Sequence, residues 1–139
     1  MYAAAQFFKD LIVSYHYFFH MSFDVSVSLH PDYLRIKSTG EFSVNALLEL
    51  IDRVKSEALA ARRNRILVDS LEITGDISDA DRFLGGKRSA EVFGTQLKVA
   101  ALFSAEKITK LGELAATNRG AKLLITDSES EAIDWLLES

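Results

Sequence analysis

The sequence predicts an α/β domain with a mixed, mostly parallel sheet of about five strands, opening on a β-hairpin, carrying four helices and preceded by an extra N-terminal helix. Three observations predict it. Residues 25–37 alternate apolar and polar side chains, as a half-buried hairpin does. Residues 66–68, 97–103 and 123–125 are apolar without alternation, as strands covered on both faces are. Between them run capped segments with apolar residues at helical spacing. A hairpin followed by repeated strand–helix units implies right-handed crossovers, hence parallel neighbours with one antiparallel edge strand.

Residues 1–21 stand apart as an N-terminal extension. Tyr2, Phe7, Phe8, Tyr15, Tyr17, Phe18 and Phe19 crowd it, and Lys9 and Asp10 are its full charges. A helix would place Phe7, Leu11, Tyr15 and Phe18 on one face, a stripe that the domain or a second copy must cover, so a homodimer is expected. A start at Met21, just before the regular pattern, is the alternative. The extension lacks the basic leading region of a secretory signal. Lys9, Asp10, His16 and His20 also interrupt the run of about 20 apolar residues that a membrane span requires, so no span is expected.

Residues 22–139 read as the domain itself. Val25, Val27 and Leu29 alternate with Ser26, Ser28 and His30, and Leu34 and Ile36 with Tyr33, Arg35 and Lys37, on either side of Pro31-Asp32. One face of this hairpin is therefore wet, and Gly40 ends it. Ser43 caps a helix whose inward stripe is Val44, Leu47, Leu48, Ile51, Val54 and Ala58. The strand at 66–68 follows, with Asp69 at its carboxyl end and an acidic loop beyond. Ser78 opens a second helix, because Ser-x-x-Asp sets a cap oxygen and a carboxylate in the first turn. Gly85-Gly86 is expected to break that helix before Ala90, Val92 and Phe93. Ser104 is expected to cap a third helix with Ile108, Leu111, Leu114 and Ala115 inward, closed by Asn118-Arg119-Gly120. Ser128-Glu129-Ser130-Glu131 opens the last helix as a capping box, burying Ala132, Ile133, Leu136 and Leu137 with Trp135 as an anchor.

A chain of 139 residues fits one domain with a real core. The absence of cysteine excludes thiol catalysis, iron–sulfur clusters and cysteine zinc sites, and it fits a reducing cytoplasm, the expected location. A net charge of −4 with both signs interspersed offers no basic field, so no nucleic-acid partner is expected. His16 and His20 stand four apart as zinc-binding pairs do, but Tyr17 occupies the place of the metalloprotease glutamate and no third ligand is evident. No histidine serves as a general base, and no serine has a triad around it. Gly85-Gly86-Lys87-Arg88-Ser89 fails as a phosphate loop, since position 81 is aspartate and Arg88 follows the lysine. No cofactor and no catalytic residue is expected.

The order of elements, together with Ile66-Leu67-Val68-Asp69, residues 75–85, Lys98-Val99-Ala100, Asn118-Arg119-Gly120-Ala121 and Glu131-Ala132-Ile133-Asp134-Trp135-Leu136, resembles the STAS domains, the fold of bacterial anti-sigma-factor antagonists. Within them it is similar to the SpoIIAA-like branch of STAS or CRAL-TRIO-like proteins. The resemblance implies a non-enzymatic regulatory module. It also implies that the serine opening the helix after the third strand is phosphorylated by a partner kinase. Ser78 matches that place, but Ile77-Ser78-Asp79-Ala80 replaces the usual Asp-Ser-Ser-Gly. CRAL-TRIO-type relatives hold a lipid in an apolar pocket, which makes a small-ligand or lipid-binding module the alternative, its pocket lying between the sheet and the N-terminal helix.

In an open α/β sheet, ligands and partners are received outside the carboxyl ends of the strands. The expected partner-binding residues are therefore Asp69, Asp76, Ser78, Asp79, Asp81, Arg82, Phe83 and Leu84. Phe83 and Leu84 would be the apolar contacts, with Asp79, Asp81 and Arg82 as a polar rim. Ser78 is either a plain cap or a phosphoswitch. Asp69, Glu72, Asp76, Asp79 and Asp81 read as a hard-cation cluster or as a solvated loop, and they lack the calcium-loop spacing, so no metal is expected. Asn118, Arg119 and Gly120 either terminate a helix or present a guanidinium to a ligand.

Overall fold

A computed structural model describes residues 22–138. The expected N-terminal helix, its apolar stripe and the His16–His20 pair lie outside the described residues. Strand β1 (Asp24–Leu29) pairs antiparallel with β2 (Leu34–Glu41), and α1 (Val44–Ala61) leads to β3 (Arg65–Thr74). Helix α2 (Asp79–Phe93), β4 (Lys98–Leu102), a 3₁₀ turn (Ala105–Lys107), α3 (Leu111–Thr117), β5 (Lys122–Thr126) and α4 (Glu129–Leu137) follow. The five strands lie in sequence order, with β2 to β5 mutually parallel, as the pattern of units predicts.

Because side chains alternate across a strand, the sheet has two distinct faces. One carries Leu34, Ile36, Ile66, Val68, Val99 and Leu123, packed with Leu50, Val54, Phe93 and Ala116 of α1, α2 and α3. The other carries Leu67, Ala100 and Leu102 beneath Ala132 and Leu136 of α4. Helix α4 reaches the hairpin through the Arg35–Glu129 pair, and beyond it Ser26, Ser28 and Lys37 are exposed to solvent. The expected one-sided burial holds in β2, whereas in β1 Val27 and Leu29 are exposed as well.

The helix caps are where local chemistry sets them. Ser43, Ser78 and Ser128 accept from the amides of Ala46, Asp81 and Glu131 at 3.1, 3.1 and 3.2 Å. The last is half of a capping box, for the Glu131 carboxylate takes the Thr126 hydroxyl at 2.9 Å instead of reaching back. Gly120, at φ +92°, ends α3 in the left-handed region.

Other expectations are corrected. Gly40, at φ +130°, does not end β2, which runs one residue further. Strand β3 runs to Thr74, so Asp69 sits in mid-strand rather than at a strand end. Its polar residues are paired to β2 at a bulge between Lys37 and Thr39: Ser70 with Ser38 at 2.7 Å within it, and Glu72 with Lys37 at 2.7 Å across it. Helix α2 passes unbroken through Gly85-Gly86, because both glycines face neighbouring helices. A Cβ on Gly86 would stand 2.3 Å from the Gly112 carbonyl oxygen of α3, and one on Gly85 would stand 2.8 Å from Leu47 of α1.

Helix α3 starts at Leu111, not beside Ser104, which opens the 3₁₀ turn instead. It buries Gly112, Ala115 and Ala116, and leaves Leu111 and Leu114 exposed. Small residues must face inward where two helix backbones approach this closely. In α1, Ala46 and Leu50 are buried, whereas Val44, Leu47 and Leu48 are only partly so. Leu137 of α4 is exposed, while Trp135 lies under the Lys98 ammonium, 4.6 Å from the ring centre.

Candidate partner-docking site

The loop from β3 to α2 turns on Gly75, whose φ of +92° only glycine adopts without strain. A chain of polar contacts holds the loop and the first turn of α2. Lys107 donates to the Gly75 carbonyl at 2.9 Å, and Arg82 donates to the Lys107 carbonyl at 2.9 Å and to Asp79 at 3.1 Å. Arg82 is consequently half-buried and fastens α2 to the segment after β4. Ser78 caps the helix, and Asp79 and Asp81 lie in its first turn, favourably placed against the positive end of its dipole.

On this fastened turn Phe83 is 40% and Leu84 45% exposed. Other large apolar side chains are at least as exposed, Leu59 at 66% and Leu29 at 60%, so what sets Phe83 and Leu84 apart is their adjacency on a helix turn that Arg82 holds in place. The Arg119 guanidinium lies 5.2 Å from the Phe83 ring centre and donates to the Ala115 carbonyl at 2.9 Å. The structure therefore brings Arg119 beside Phe83, braced by the carbonyl end of α3, and the helix-termination reading of residues 118–120 accounts for it. Leu111 and Leu114, expected to face inward, add exposed apolar surface on α3, packed beside α2.

Asp76, Ser78 and Asp79 are exposed around the loop. Asp69 is not with them. It is 7% exposed and lies on the opposite face of the sheet, where Arg35 donates to one carboxylate oxygen at 2.7 Å and the Leu71 amide to the other at 3.2 Å. Arg35 also pairs with Glu129, so one guanidinium joins β2, β3 and α4. Burial opposes the Arg35 charge, but the hydrogen bonds to Glu129 and Asp69 outweigh it and leave its pKa raised. The Lys37 ammonium is likewise held above its ordinary value by its hydrogen bond to Glu72. The acidic residues of the stretch are thus spread over two faces, and among the described residues no group of three or more could hold a metal ion. No described helix is long and apolar enough to cross a membrane.

No protein-family model and no curated protein matches the chain. Among solved structures it is similar to an anti-sigma factor antagonist from Mycobacterium paratuberculosis, with a TM-score of 0.57 and 12% identity over 84% of this chain and 96% of that one. It is also similar to an uncharacterized protein of the DUF3478 family with a SpoIIAA-like fold from Shewanella loihica, with a TM-score of 0.52 and 20% identity over 83% and 94% of the two chains. Likeness at this level of identity shows the fold.

Proposed function

We propose that this SpoIIAA-like domain is a non-enzymatic regulatory module that captures a protein partner through α2 and the loop before it. The observation that carries the proposal is the pair Phe83 and Leu84, open to solvent on a helix turn fastened from below by Arg82 and Lys107. The antagonist from Mycobacterium paratuberculosis, which shares the fold, supports a regulatory role by analogy. Phe83 and Leu84 enter a pocket on the partner, Arg119 stiffens the Phe83 ring, and Asp76, Asp79 and Asp81 form an acidic rim that selects a partner with basic groups around an apolar centre. Arg82 and Asp69 act indirectly, one holding the helix turn and the other the sheet beneath it.

Ser78 is the candidate control point. Phosphate there adds about −1.5 to −2 charges beside three aspartates, which repels an acidic surface and strengthens the rim toward a basic one. The intact mass of the protein taken from its native cells reads this directly, and an unmodified mass rules the switch out.

The docking reading is tested by capture from a native cell extract with the wild-type chain and a Phe83→Ala, Leu84→Ala variant as baits. A partner held by the first should bind the second at least tenfold more weakly, as loss of apolar anchors predicts, while both baits melt at similar temperatures. Equal capture by the two, or no capture by the wild-type bait, would overturn the reading.

A further inference from the structure

Among the described residues, an apolar cavity of about 100 Å³ lies between helices α1, α2 and α3 and the face of the sheet that they cover. The pocket expected against the N-terminal helix lies outside the described residues, whereas this one is built wholly within the domain. Val68, Ser70 and Ala101 line it from the sheet, with Leu47, Gly85 and Ser89 opposite. Close packing normally leaves few voids larger than a water molecule. Here Ser89 and Ala101 stand where longer side chains would close the space, and the partly exposed Ile77 and Lys107 and the exposed Thr109 mark its mouth.

One lining group is polar and fully buried. Ser70 and Ser38 are both 0% exposed, with their hydroxyl oxygens 2.7 Å apart. Two hydroxyls carry two protons and share one between them, so the accepting hydroxyl keeps a proton of its own to donate. When Ser38 is the donor, that remaining proton belongs to Ser70 and is available to the cavity.

We propose that this cavity is a binding site for a small molecule of single-ring size, apolar over most of its surface and carrying one hydrogen-bond acceptor that meets Ser70. An apolar cavity of roughly 150 Å³ takes up benzene, and the volume here is of that order. The acyl chain of a membrane lipid does not fit. The site lies beneath α2 rather than on its outer face, and its mouth at Ile77 and Lys107 adjoins the loop before that helix.

The test is titration of the ¹⁵N-labelled full chain with benzene and with phenol, followed by amide NMR. Both probes should give saturable shifts centred on Ser70, Gly85, Ser89 and Ala101. Ala101→Leu, which fills the space from the sheet, should abolish both, and Ser89→Val fills it from α2 should the first variant fail to fold. A Ser38→Ala, Ser70→Ala double variant removes both hydroxyls and leaves neither orphaned. In it, phenol should bind roughly three- to tenfold more weakly, the worth of one hydrogen bond, and benzene as before. Shifts that do not saturate, or that survive a folded filling variant, would overturn the site. Phenol binding unchanged in the double variant would overturn the role of Ser70.

Discussion

At the residue scale, the most consequential contact joins parts of the chain far apart in sequence. Asp69 is nearly buried, and Arg35 is its charge partner among the described residues. Removing the guanidinium leaves the carboxylate the Leu71 amide but no counter-charge in contact, and such losses are severe in full burial but smaller where water reaches one partner, as it does Arg35. Arg35→Ala should therefore cost about 1–3 kcal/mol in urea unfolding, and the Arg35→Ala, Asp69→Ala pair less than the sum of the single losses. Ser78 acts locally. Ser78→Ala should cost about 1 kcal/mol by loss of the bond from the Asp81 amide, whereas Ser78→Asp, another capping residue, should be nearly neutral. Glu106 offers a pH-dependent test. Its carboxyl is held below the usual range by its own backbone amide and then by the Ser104 hydroxyl. A depressed folded value gives stability that is present above the unfolded value of about 4.3 and lost as pH falls through the folded one. In Ser104→Ala the Glu106 midpoint should move upward in an NMR titration; a midpoint that stays put would show the hydroxyl to be idle.

At the scale of elements, what was legible in the sequence and what was not divide by the range of the interaction. Ser43, Ser78 and Ser128 could be read as caps because a cap is a contract between residues two or three apart. The order of strands and helices followed from periodicity alone. The length of β3 did not, since Asp69, Ser70, Glu72 and Thr74 look like loop until Arg35, Ser38 and Lys37 are seen beside them. Phe83 and Leu84 stand out in the sequence as candidate contacts because they follow a cap, but the fastening of Arg82 to the Lys107 carbonyl has no local signature. Gly85 and Gly86 misled for the same reason: their purpose is the approach of other helices. They also separate two effects that a Gly→Ala change combines. Alanine gains up to about 1 kcal/mol of helix propensity at either site. At Gly86 its Cβ would meet backbone and Ala115, neither of which can turn aside, so Gly86→Ala should be destabilising by about 1–3 kcal/mol. At Gly85 it meets the end of the Leu47 side chain, which can rotate, so Gly85→Ala should be close to neutral or stabilising in the same thermal unfolding experiment.

At the scale of the whole molecule, the sheet is clothed unevenly, and that asymmetry dictates how it should open. Residues 66–70 of β3 are buried on both faces, with hydrogen-bonded neighbours on each side. In β4, residues 99–102 are buried, between α4 and the three-helix layer. These strands lose their protection only when the domain unfolds. Strand β1 is held by one neighbour, and Val27 and Leu29 are 40% and 60% exposed although they face the same side as Ile36 and Leu34. Few apolar contacts oppose its departure, and the energy of local opening scales with the contacts broken. Native-state hydrogen exchange should therefore separate two classes of amide. Those of residues 66–69 and 99–102 should exchange with the free energy and denaturant dependence of global unfolding. The β1 amides bonded to β2 should exchange through a smaller opening, less sensitive to denaturant because little surface is exposed. If β1 were instead protected to the global level, the hairpin would belong to the cooperative core, and its exposed Val27 and Leu29 would need a cover in solution that the described residues do not supply.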